Sequence, residues 1–108
     1  MHHMSKAFEL VLNNLVPVYD AGSPDYWLDL AEGHRRIRNV FASLDRVRSA
    51  PVISPDDDES SISKSMILIR EAHDAFFIAC YAVDRHPTAL RILANSKIST
   101  VGGYRFID

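Results

Sequence analysis

The sequence predicts an all-α protein, and three observations carry that expectation. Between Ile62 and Val83, apolar residues recur at alternating spacings of four and three. Ile62, Met66, Ile69, His73, Phe76, Cys80 and Val83 therefore fall on one face of a helix. Ala72, Ala75, Ala79 and Ala82 keep the same rhythm beside that row, and polarity disappears from Ala75 to Val83. A helix apolar on all sides must be enclosed by other helices or by another subunit, which makes this the central element. The third observation is Ser23-Pro24-Asp25, a helix start in which serine caps, proline supplies a fixed φ and aspartate faces the positive dipole end. The expected architecture is an irregular antiparallel bundle of three main helices plus a short fourth, with a C-terminal extended or hairpin-like tail.

The elements follow in order. Residues 1–4, Met1-His2-His3-Met4, read as the remnant of an affinity tag, leaving 5–108 as a single helical domain. A first helix is expected after Ser5, burying Phe8, Val11, Leu12 and Leu15, and ending near Val16 because Pro17 lacks the next amide. The second runs from Ser23-Pro24 to about Arg48, with Trp27, Leu30, His34, Ile37, Phe41 and Leu44 as its stripe. Its acidic residues lie early and its arginines late, as the macrodipole prefers.

Residues 49–61 form the long connection, with Pro51, Pro55 and the acidic run Asp56-Asp57-Asp58-Glu59. The central helix has two possible starts, near Pro55 or near Ser60, and the later one is favoured. Pro87 ends it, since a residue before proline avoids helical geometry. A short helix over Thr88–Ser96 follows, burying Leu90, Leu93 and Ala94. Ile98–Ile107 then reads as two extended segments around Gly102-Gly103, docked through Val101, Tyr104 and Phe106.

Charge and cysteine content narrow the setting. A net charge of −2 gives no global attraction to nucleic acid or anionic lipid. The single Cys80 cannot form an internal disulfide and is expected to pack as a reduced small hydrophobe, which points to the cytoplasm. The first apolar stretch contains Glu9, Asn13 and Asn14, unlike a secretory signal. The central run carries Arg70, Glu71, His73 and Asp74, so no membrane span is expected.

Three constellations could carry chemistry. His73-Asp74, with His34 on the neighbouring helix, loosely resembles the metal site of HD-type phosphohydrolases. In an antiparallel hairpin His34 is expected within about a turn of His73, roughly 5 Å along the axis, so that His34, His73 and Asp74 would share a divalent metal. The fold that carries such sites is longer, and its final aspartate lies well beyond the His-Asp pair, whereas here only Asp84 and Asp108 follow. Histidines on an apolar stripe are more often core residues, so the favoured expectation is a structural His73 with no metal and no cofactor. The second constellation is arginine-rich. Arg35 and Arg46 oppose Ile37, while Arg36 and Arg38 lie on opposite flanks, so the cations fan over the polar side and a nucleic-acid or nucleotide site is the weaker reading. The acidic run 56–59 lacks the alternating ligands and glycine of a calcium loop, and a solvated loop or helix start is its default.

Phosphate-binding glycine loops, Cys-x-x-Cys, His-Glu-x-x-His and Gly-x-Ser-x-Gly are all missing. The reading that remains is a small cytoplasmic, non-enzymatic protein-binding module (adaptor, inhibitor or accessory regulator) that self-associates as a homodimer. Its candidate partner-binding residues are Arg35, Arg36, Arg38, Tyr104, Arg105 and Phe106. The alternatives are the metal-dependent hydrolase through His34, His73 and Asp74, and the nucleic-acid binder through Arg35–Arg38.

Overall fold

The computed structural model describes residues 24–107. The helix expected from Ser5 to Val16 and the tag remnant lie outside the described residues. What is described is mostly helical: α1 (Pro24–Arg48), α2 (Glu59–Asp84) and α3 (Pro87–Asn95) precede a small hairpin of β1 (Thr100–Val101) and β2 (Tyr104–Arg105).

Each boundary has a local cause. Proline at the first position of α1 and arginines at 46 and 48 in its last turn match the macrodipole at both ends. The connection ends at Asp58, whose carboxylate accepts the Ser61 amide at 2.7 Å and caps α2. The start at Glu59 is thus one residue from the favoured Ser60. The acidic run divides its labour: Asp58 caps, Asp57 accepts the Ser54 amide at 2.8 Å, and Asp56 is exposed.

Pro87 opens α3 directly after α2, and His86 caps it by accepting the Ala89 amide on Nδ1 at 3.1 Å. The opposite ring nitrogen, Nε2, lies 3.1 Å from Asp29 Oδ1, so one imidazole ties the start of α3 to α1. α3 ends in a Schellman arrangement. The amide of Lys97, at φ 59°, bonds the Ala94 carbonyl, and the Ile98 amide bonds that of Leu93. In the hairpin, Val101 pairs with Tyr104 across Gly102 and Gly103, both at positive φ, as a two-residue type I′ turn requires.

One contiguous core joins these elements. Leu30, Ile37, Val40 and Leu44 come from α1, and Phe76, Ala79, Cys80 and Val83 from α2. Ala89, Ile92 and Leu93 of α3, with Val101 and Phe106 of the hairpin region, close one side of the α1–α2 pair. α1 and α3 approach closely at Gly33, where a Cβ would stand 3.1 Å from the Ala89 backbone nitrogen.

Two expectations about burial need correction. Met66 and His73 are exposed although they belong to the four-three row, and Trp27 is exposed on α1. On α2 the buried arc centres on Ala72, Phe76, Ala79 and Val83. His73 and Met66 project about 90–110° to one side of that centre. α2 also overhangs: no residue before Ala72 is buried, because α1 ends level with that point. The overhang leaves Met66, Ile67 and Leu68 exposed.

Candidate functional site

The α1–α2 pair has two sides. The hairpin and α3 cover one. The other is an open groove of about 530 Å³, floored by Ala42, Ala75, Ala79 and Ala82 and flanked by Ile78, Arg35, Arg36 and Arg46. The alanine row seen in the sequence lines this groove, because small side chains there keep the floor low between two antiparallel helices. A second depression bounded by Leu68, Ala72 and Pro51 shares Arg46 with it, so the trough continues toward the overhang.

The arginines have distinct duties. Glu32 accepts from Arg35 Nε at 2.8 Å and from Arg36 Nε at 2.9 Å, and these two guanidinium groups hold its carboxyl at about 2. Arg36 also donates to the Ala82 carbonyl at 2.8 Å, bracing α1 against the last turn of α2. Arg35 is exposed at the groove edge. Arg38 is exposed on the other flank, where burial, followed by the Arg38 charge, lowers the pKa of half-buried His34.

The Arg36–Ala82 contact also fixes the helix register and overturns the expected meeting of His34 with His73. His73 precedes Ala82 by nine residues, about 13 Å along the axis, while His34 is two residues from Arg36. The connection shifts α2 so that its first turns run past α1, and the two imidazoles sit at different levels. Among the described residues, no three His, Cys, Asp or Glu side chains are grouped to hold a metal ion. Asp84, the aspartate nearest after His73-Asp74, is engaged by the tail. It accepts the Tyr104 hydroxyl and, at 3.0 Å, the Ile107 amide. That hydrogen bond, helped by burial, pushes the Tyr104 phenol up to about 12.

The tail residues also separate. Arg105 is exposed, Tyr104 is half-buried against Asp84, and Phe106 is only 4% exposed. Phe106 is therefore a core residue and presents nothing to a partner, because the hairpin turns it inward to cover α2. Cys80 is fully buried, and burial, with Asp84 nearby, raises its thiol to about 12.

The surface absent from the candidate partner-binding residues lies on the outward side of α2. Phe77, Ile78 and Tyr81 are 55%, 69% and 57% exposed; Ile78 borders the groove, while Phe77 lies toward the hairpin against Tyr104. Arg85 donates to the Tyr81 hydroxyl at 2.6 Å and lies 5.2 Å from its ring centre, so a cation stands at the end of this stripe. The signal was present in the wholly apolar segment, but it did not say which third of the circumference would go uncovered. Among the described residues no helix is long and apolar enough to cross a membrane. Compared with known proteins, the chain matches no family model, no curated sequence and no solved structure.

Proposed function

We propose that the chain is a non-enzymatic protein-binding module, an adaptor, inhibitor or accessory regulator, that self-associates and works in the cytoplasm. In this reading α1, α2 and α3 frame an irregular antiparallel bundle whose open flank is the working surface. The observation that carries it is the exposure of Phe77, Ile78 and Tyr81 as an outward stripe of a regular helix whose Ile78 edge borders an alanine-floored groove. Contiguous apolar surface of this kind marks docking sites on otherwise soluble proteins, and a groove between two helices suits an amphipathic helix. Arg46, the flanking arginine that Glu32 does not hold, favours a carboxylate on that helix. Nucleic acid is the weaker partner, because Arg35 and Arg36 are already bound to Glu32. The hydrolase alternative has less support, since His34 and His73 stand at different levels.

Affinity capture from the native host tests the reading when run beside the Ala82→Leu chain, whose larger side chain fills the groove floor. A protein retained by the parental chain and lost by the filled one is the expected result. An identical set from both chains, or no retained protein, overturns it.

A further inference from the structure

We propose that the outward stripe of α2 pairs antiparallel with the same stripe of a second copy about a two-fold axis at Ile78. The inference rests on the protein-binding reading and names one partner for it. Glu71, Ile78 and Arg85 are spaced one heptad apart, so they share a line along the helix, and all three are exposed. In an antiparallel pair with Ile78 opposite Ile78, residues of this line that are equidistant from that point meet. Seven residues before it stands Glu71 and seven after it stands Arg85. Each copy thus offers a carboxylate where the other offers a guanidinium, and the symmetry makes the pair twice.

The neighbouring positions agree. Tyr81 and Asp74 lie about 60° and 40° to the same side of the Ile78 line, so the exposed Tyr81 ring faces Asp74 of the second copy. Like charges are kept apart: this register places neither Glu71 on Asp74 nor Arg70 on Arg85. Glu71 has no ion pair or hydrogen bond among the described residues and is free to take one. Arg85 is already steered along the stripe by Tyr81, and its remaining donors face outward.

Sedimentation equilibrium of the full chain from about 1 to 200 μM reads the proposal directly. The parental chain should dimerise. Glu71→Arg places two arginines at each contact, and Arg85→Glu places two glutamates there. Each variant should weaken dimerisation by about tenfold or more, while keeping the parental circular dichroism because both sites are exposed. An equimolar mixture of the two restores opposite charges at both contacts and should give heterodimer at parental strength. A parental chain that stays monomeric, single variants that dimerise as it does, or a mixture that fails to associate would each overturn the proposal. A monomeric parental chain that still loses its captured protein on Ala82→Leu would sink the self-pairing alone and leave the protein-binding reading standing.

Discussion

Phe76 and Phe77 are adjacent, chemically identical and oppositely placed, which makes truncation of each a test of the whole packing scheme. Phe76 is 4% exposed and reaches under the hairpin turn, where its Cζ lies 3.0 Å from the position a Gly102 Cβ would take. Removing the ring forfeits its transfer from water and leaves a cavity bounded by Leu44 and the turn. Large-to-small changes of this kind cost about 3–5 kcal/mol. Phe77 keeps 55% of its surface in water and touches the rings of Phe76 and Tyr104 only at a tilt. Its truncation removes less than half of a phenylalanine's burial and opens no closed cavity, so the loss should be about 1 kcal/mol. Urea unfolding followed by circular dichroism, at protein concentrations low enough to exclude association, gives both values on one scale. The Phe76→Ala midpoint should fall at least twice as far as that of Phe77→Ala, with the denaturant slope unchanged. A Phe76→Ala loss below about 1 kcal/mol, or equal losses at the two positions, would refute the assignment of α2's buried face.

Three further outcomes rest on the same packing. At Gly102 a Cβ would stand 2.8 Å from Leu44 Cδ1 on a backbone with φ 57°, so Gly102→Ala should lose about 2–4 kcal/mol from crowding and strain together. Gly103 has open space around it, so Gly103→Ala should lose only the left-handed strain, about 1 kcal/mol, by the same unfolding assay. Because the Cys80 thiol ionises only near pH 12 and is fully enclosed, the native protein should not react with a thiol reagent at pH 8. Full reaction should appear once urea unfolds the chain. Rapid labelling of the native state would mean that α3 and the hairpin do not seal α2.

The parts of the fold that were legible are those governed by local chemistry. Ser23-Pro24-Asp25 marked the start of α1, Pro87 the break between α2 and α3, and Gly102-Gly103 the turn of the hairpin, each because one residue type suits that backbone. The start of α2 lay one residue from the favoured site because two capping groups, Asp58 and the following serines, compete within three positions. What was not legible depends on how far one helix slides along another. The path of residues 49–58 sets that offset, and no periodicity encodes it. His34 and His73 therefore looked like neighbours and are not. For the same reason a four-three row that looked like one buried face is buried only from Phe76 onward, with Met66 and His73 outside. Phe106 was expected both to dock the tail on the helices and to serve a partner, and its burial leaves it only the first.

Among the described residues, no side chain of α2 before Ala72 is fully buried, so its first half is anchored mainly through the packed turns that follow it. Residues 59–71 are too few to be stably helical by themselves, since starting a helix in water is costly and only extension is nearly neutral. They are spared the nucleation step because the packed turns from Ala72 onward serve as a permanent nucleus, so helicity there is a matter of propagation. Such a segment shortens and lengthens from its free end, turn by turn, without disturbing the core. Amide exchange along α2 should consequently be graded, slowest near Cys80 and quickening steadily toward Asp58. Any ligand that lies along residues 62–69 would draw its binding energy partly from completing a helix that thermal motion leaves unfinished.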